Sequence, residues 1–317
     1  MEEQEVKRVV ESLEGGVQEL TELSGGAVHN VYSVKLSNGD EFVFQGVGSR
    51  WHDLPSFERG YRIEPEVIEF LYQRDYPVPK LRFYDFSKDE FEYRFFATEK
   101  IEGRNMGEVE DNKAFLDLVE NVGERLNQLH DLHTFEDSGK IVASEEGLDV
   151  RRFEWKEMYK SLVFTYTTHM LDRRYHHCRE EIEEIAEVNA EILNPERFTV
   201  IHQEFSPRNL IVKDGKIRGV VDWERTIAGD PDYGLIRSRE SLIQKARELG
   251  VESPRKEVSK RLAEGYTGRP FDRISRQKDN LYRMAYIAHM MWSARDRDPE
   301  EVKLEEQLSE IKEELKD

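Results

Sequence analysis

Residues 201–224 read IHQEFSPRNLIVKDGKIRGVVDWE, and three oxygen-bearing side chains in this run could act together. Glu204 offers a carboxylate that can take the proton of an attacking hydroxyl. Asn209 adds an amide oxygen. Asp222 adds a second carboxylate, at the end of two β-rich runs joined by Lys213-Asp214-Gly215. An amide and a carboxylate of this kind can hold magnesium against nucleotide phosphates. Base loop first and metal strand second is the order of a phosphoryl-transfer site. Singly, each residue has a plainer reading, His202 as a core hydrogen-bonder and Asp222 as a turn residue. The specificity lies in order and spacing.

Two earlier pieces fit the same chemistry. Gly25-Gly26, followed by Asn30, lies between two strand-like runs, where missing side chains let backbone N–H groups approach a phosphate; the plainer reading is a turn. Glu64 lies on the first helix after a hairpin, where a glutamate can position a lysine that holds phosphates; the plainer reading is a solvated charge.

These residues need elements to carry them. Val6, Val9, Val10 and Leu13 recur at helical spacing until Gly15-Gly16. Asn38-Gly39 between VYSVKL and EFVFQGVG predicts a hairpin. Residues 62–74 predict a helix with Ile63, Val67, Phe70 and Leu71 on one face. Two further strand-like runs, KLRFYDF and YRFFATEKI, lead to Glu102-Gly103. Beyond residue 107 helices are expected, over 113–132 and 152–194, with strands returning only at 198–222 and helices to the end. The prediction is an α+β protein: a small sheet-rich lobe, 1–98, a connector, 99–103, and a large helical lobe, 104–317.

The glycine pair with Asn30 and Tyr32, the NGDEFVF hairpin, Glu64, ATEKIEG, GERLNQLH at 123–130, HQEFSPRNL, VDWE and GDPDYGL extend over nearly the whole chain. In these motifs the chain resembles the aminoglycoside phosphotransferase and choline kinase-like family, which has the two-lobed protein kinase-like fold. The resemblance implies ATP, or alternatively GTP, bound with Mg2+ between the lobes, and transfer of the γ-phosphoryl group to a hydroxyl of a small molecule. It implies Glu204 as base, Asn209 and Asp222 as magnesium ligands, and Gly25, Gly26, Asn30, Gln45 and Glu64 around the nucleotide. Glu66 is a second candidate for the helix glutamate. Residues 98–101, with Glu99 and Ile101, would form the hinge that meets the base. His202, Trp223 and Asp230 would be supports.

Three departures matter. Glu204 stands where the family has aspartate, which carries the carboxylate about 1.5 Å further. Gln45 stands at the phosphate-binding lysine position, so it brings no charge; Lys35 on the preceding strand is the alternative cation. A hydrogen bond from Gln45 to Glu64 would be support only. Gly234 in GDPDYGL replaces a customary acid and bears on helix packing. Gln45 therefore keeps a second reading open, a nucleotide-binding pseudokinase with a regulatory role.

The 317 residues suffice for two lobes with real cores. A net charge of −19 argues against nucleic acid or an anionic membrane as partner, and reads either as solubility or as adaptation to high salt. The single cysteine, Cys178, excludes an internal disulfide, and with His176 and His177 it lacks paired metal-ligand spacing. The acidic N-terminus has no apolar signal region, so a cytoplasmic location is expected. Trp155, Tyr159, Phe164 and Tyr166 read as helix core before cation cage, and an acidic cleft would suit a cationic acceptor. Leu304, Leu308, Ile311 and Leu315 make a stripe for docking on the large lobe or for a dimer seam, so monomer and homodimer both stay open.

Overall fold

The computed structural model describes residues 2–23, 29–47, 63–144, 147–168, 175–267, 270–293 and 304–316. The chain opens with helix α1 (Glu3–Leu13), which buries Val6, Val9 and Val10, while Leu13 is left 46% exposed at the helix end. Strands β1 (Val17–Glu22), β2 (His29–Leu36), β3 (Glu41–Val47), β4 (Leu81–Asp85) and β5 (Phe95–Glu99) form an antiparallel sheet in the order β1-β2-β3-β5-β4. The β2–β3 hairpin turns at Gly39, whose φ of +92° suits glycine. Phe42, Phe44 and Phe95 of this sheet pack with the valines of α1 in one apolar cluster.

Helix α2 (Glu64–Tyr72) belongs to a different core. Val67, Ile68, Phe70 and Leu71 join the cluster that includes Phe115, Leu126, Val220 and Trp223 of the large lobe. The Tyr76 hydroxyl donates to the carbonyl of Arg125, and the Val220 N–H to the carbonyl of Pro77 (2.8 Å), so the segment after α2 is tied to the same body. The first helix after the hairpin is therefore anchored across to the large lobe.

That lobe holds α3 (Asn112–Leu132), α4 (Trp155–Thr168), α5 (Arg179–Asn189), α6 (Pro231–Glu248), α7 (Pro254–Gly265), α8 (Pro270–Arg273), α9 (Arg276–Ser293) and α10 (Leu304–Lys316). Strands do not wait until residue 198. A two-residue β6 (Arg104–Asn105) precedes α3, and β7 (Thr134–Phe135), β8 (Gly139–Ser144) and β9 (Gly147–Arg152) follow it. Strands β7, β8 and β9 join β10 (Phe198–Ile201) and β13 (Ile227–Gly229) in the order β7-β10-β13-β8-β9. The runs GKIVAS and GLDVRR are short and half exposed, so their alternation is weak in sequence. The expected helix over 152–194 is α4 and α5 as separate helices, with a 3-10 turn (His176–Cys178) immediately before α5.

Helix α10 docks on its own lobe, burying Leu304, Leu308 and Ile311 in the cluster of α4, α5 and α9. It also brings Glu305 within 3.4 Å of His177, and donor atoms of His177, Cys178 and Glu305 all lie within 4.8 Å of one another. Among the described residues no helix is long and apolar enough to cross a membrane.

Candidate active site

Strand β10 delivers the chain into the 202–209 loop, and β11 (Leu210–Lys213) and β12 (Lys216–Val220) carry it back to Asp222. The hairpin register pairs Leu210 with Val220, and the Val221 N–H donates to the Asn209 carbonyl at 3.0 Å. Asn209 and Asp222 are thereby brought side by side, and the Asn209 side chain hydrogen-bonds the Asp222 carboxylate. Its Nδ2 also donates to the Glu204 carbonyl at 3.0 Å.

His202 locks the two loops together. Its Nε2 donates to the Val221 carbonyl (2.9 Å), its Nδ1 accepts from the Glu204 N–H (3.2 Å), and its ring meets Trp223 edge-on. Burial pushes the imidazole down to about 4, so it stays neutral and holds this tautomer. Gln203 and Asp222 have φ of +62° and +70°, left-handed for residues that carry a Cβ. Such residues cost on the order of 1–3 kcal/mol each and persist where the surroundings dictate them. Helix α6 supplies that constraint from beneath: Arg237 Nε donates to the Gln203 carbonyl and Ser238 Oγ to the Phe205 carbonyl, both at 2.8 Å. Asp230 caps α6 through the Asp232 N–H and accepts from the Tyr282 hydroxyl at 2.5 Å.

The Glu204 carboxylate is held in a way that sequence reading missed. Oε1 accepts from Arg225 Nη1 at 2.8 Å, and His289 Nε2 lies 3.7 Å from the same oxygen. Arg237 Nη2 lies 3.0 Å from His289 Nδ1 and can only donate, so Nδ1 accepts and the imidazole proton sits on Nε2, toward Glu204. Burial and the two guanidiniums keep His289 well below its usual range, hence neutral. The Tyr166 hydroxyl accepts from Arg225 Nη2 at 3.1 Å. Arg225 directly follows VDWE, but no spacing rule links it to residue 204, and His289 comes from a helix far along the chain.

On the other side, acids gather. Glu64 is buried, with Oε1 accepting from the Trp223 N–H at 3.0 Å and Oε2 without a hydrogen-bond partner among the described residues. Burial first, then Asp222 and Glu224, raise its carboxyl well above the ordinary range. Asp222 is pushed up to about 7 by burial, Glu224 and Glu204, with Arg225 and Asn209 opposing. Burial likewise raises Glu66, whose Oε2 is also unpartnered among the described residues. Glu64 thus meets the Trp223 backbone, not Gln45.

Gln45 pairs with Val31 on one side and Phe96 on the other, and Asn30 pairs with Gly46, so both stand at the end of the hairpin away from its turn. Gly25 and Gly26 lie outside the described residues. Lys35 is at the opposite, turn end, 3.4 Å from Glu41, which removes it as a substitute for the missing lysine. At the end of β5, Glu99 donates its N–H to the Lys80 carbonyl (2.8 Å), and its side chain is exposed near Lys80. Ile101 makes no backbone–backbone hydrogen bond among the described residues, and its side chain fills the space over Gly219.

Comparison with protein-family models matches residues 19–271 to the phosphotransferase enzyme family. The chain belongs to this family. Its fold is similar to that of a thermostable variant of aminoglycoside phosphotransferase APH(4)-Ia in ternary complex with ADP and hygromycin B: TM-score 0.69, 13% identity, covering 98% of each chain. Spectinomycin phosphotransferase APH(9)-Ia in complex with ADP and spectinomycin aligns with TM-score 0.58 and 13% identity over 99% of this chain and 94% of that one. LicA in complex with AMP aligns with TM-score 0.62 and 15% identity, covering 100% of this chain and 99% of the other. Comparison with the curated proteins finds no match. At these identities the solved structures establish the kinase-like fold that the phosphotransferase family shares, and the site is argued from this chain's own residues.

Proposed function

We propose that this family member transfers the γ-phosphoryl group of ATP to a hydroxyl of a small molecule. The observation that carries the reading is the convergence of Glu204, Asn209 and Asp222 on two loops held in left-handed backbone by His202, Arg237 and Ser238. Strain maintained at this cost is a mark of function. Membership of the phosphotransferase family, and relatives captured with ADP or AMP, support nucleotide use.

The acids also suit a divalent cation. Asp222 and Asn209 offer oxygen donors, Asp222 is pushed up by neighbouring acids, and the buried Glu64 Oε2 has no hydrogen-bond partner among the described residues. Hard oxygen ligands favour magnesium. Asn209 and Asp222 would hold Mg2+, which when bound neutralises phosphate charge. Glu64 would fix the Trp223 backbone and with it Asp222. Glu204 would orient the acceptor hydroxyl and receive its proton. Gly25, Gly26, Asn30 and Gln45 would line the phosphates, and Glu99 and Ile101 the hinge that meets the base. In this reading 1–98 is the nucleotide lobe, 99–103 the hinge and 104–317 the acceptor lobe. A net charge of −19 supports a small-molecule partner over nucleic acid or membrane, and a cytoplasmic location fits it.

The second reading, a nucleotide-binding pseudokinase, draws on Gln45. The test is thermal stability with ATP or GTP, each with magnesium or EDTA, in wild type and Asp222→Asn, followed by ADP release. A ligand at 100 times its Kd stabilises by about 2.7 kcal/mol. A magnesium-dependent shift lost in the variant, with turnover, is the expected result. A shift without turnover on any hydroxyl acceptor selects the pseudokinase, and no shift overturns both.

A further inference from the structure

Aminoglycosides and choline are cations, and a site for them needs either carboxylates or unoccupied aromatic faces near the base. The described residues around Glu204 present neither on the helical side. The rings of Tyr166, His289 and Trp292 form a tilted stack, with centroids 4.8 Å apart for Tyr166–His289, 5.6 Å for His289–Trp292 and 5.8 Å for Tyr166–Trp292. Tyr166 and Trp292 already meet the protein's own cations. The Arg225 guanidinium carbon lies 5.5 Å from the Tyr166 centroid and 5.9 Å from that of Trp292, and Arg237 lies 5.9 Å from Tyr166. A choline-type cage is therefore filled from within.

Charge points the same way. On this side Glu204 faces two guanidiniums, Arg225 in contact and Arg237 one imidazole behind, while Asp222 and Glu224 lie on the other. Arg237 is 4% exposed, and its Nη1 has no hydrogen-bond partner among the described residues. The Arg225 side chain is 27% exposed, and with Nη1 on Glu204 and Nη2 on the Tyr166 hydroxyl it keeps further N–H donors for an acceptor that delivers its hydroxyl to Glu204. An anionic group beside the reacting hydroxyl would pair with those donors, as an ammonium group would not.

We infer that the acceptor is a hydroxy compound bearing an anionic group, a carboxylate or a phosphate monoester, which Arg225 recognises beside the reacting hydroxyl. This rests on the phosphotransferase reading. In the transfer, the acceptor oxygen bonds to the γ-phosphorus of ATP as its bond to the β–γ bridging oxygen breaks. ADP leaves, and the hydroxyl proton passes to Glu204. Arg225 thus has two tasks, to position Glu204 and to select the acceptor.

ADP release by the full chain, with ATP and magnesium, tests this on matched skeletons: gluconate, glucose and glucosamine; glycerate, glycerol and serinol; with glycerol 3-phosphate as the phosphate arm and kanamycin and choline as cations. The expected result is kcat/KM at least about tenfold higher for an anionic member than for its neutral counterpart, and lower still for the amine. Arg225→Gln should erase that preference, while Arg225→Lys keeps part of it. Turnover confined to neutral or cationic acceptors overturns the inference and leaves phosphotransfer standing. An Arg225→Gln variant that lowers every class equally assigns Arg225 to positioning alone and also overturns it. No turnover of any class, despite a magnesium-dependent nucleotide shift, overturns the phosphotransferase reading and the inference with it.

Discussion

At the scale of single residues, the Glu204 carboxylate meets a partner at the reach of its side chain. The longer side chain puts Oε1 2.8 Å from Arg225 Nη1, a charge-assisted contact that fixes one oxygen and, in the proposed reaction, would leave Oε2 for the acceptor hydroxyl. The site is thus built around glutamate. Shortening the chain to aspartate draws the carboxylate back by about 1.5 Å and breaks the contact. Glu204→Asp should therefore lose on the order of 10²-fold in kcat. Its KM should change little, as measured with whichever acceptor the matched panel identifies. Equal kcat in the two proteins would show that Arg225 does not set the geometry. Glu204, Asn209 and Asp222 were legible because a fixed order and spacing carries them. Arg225, His289 and Arg237 were not, since their contacts depend on how α6, α9 and the loop after Asp222 come together, and single-chain spacing holds no record of that.

At the scale of elements, Gly123 shows how a motif letter can be read without its reason. It sits in GERLNQLH, inside the apolar stripe of α3, where a glycine only weakens a helix. The structure supplies the reason: a Cβ there would lie 2.3 Å from the Leu262 carbonyl oxygen and 2.8 Å from the Tyr266 nitrogen. From the other side, a Cβ on Gly265 would lie 1.9 Å from the Glu120 carbonyl oxygen. Helices α3 and α7 therefore touch backbone to backbone, and neither surface can yield as a side chain would. Gly123→Ala should destabilise the protein by about 1–3 kcal/mol or more, despite alanine's higher helix propensity, visible as a lower urea midpoint. The Asn38-Gly39 hairpin, α2 and α3 were legible from turn chemistry and periodicity. Strands β7 to β9 were not, being short and half exposed, with β7 and β8 paired to β10 and β13 from far along the chain and β9 added at the edge beside β8.

At the scale of the whole molecule, two buried populations of titratable groups oppose each other in pH. His130 and His202 are held neutral, pushed down by burial to about 3 and about 4 from an ordinary 6.5. Between those values and 6.5 the unfolded chain binds more protons, so their stabilisation is complete above pH 6.5 and is lost as pH falls. Glu240, set among Arg239, Arg255 and Arg283, is held down at about 2 from 4.5, so its stabilisation is lost only as pH falls below about 4.5. Asp222 has the opposite sign. Its carboxyl rises from 3.8 to about 7, so its stabilisation is complete below 3.8 and lost as pH rises through 7. Without nucleotide, Asp222 therefore costs stability at neutral pH, as a site kept for a cation would. Asp222→Asn removes that charge and keeps the shape. The free variant should melt above the wild type at pH 7 and higher, and the difference should shrink toward zero by about pH 4, where both side chains are neutral. Without the compensating Asp222 protonation, the variant should also lose more stability than wild type between pH 6.5 and 4.5, where the buried histidines take up protons only on unfolding. Melting temperatures of the two nucleotide-free proteins across pH 4 to 8 check both statements, and a gap that stays constant with pH would mean that the Asp222 carboxylate feels no excess of acid in the fold.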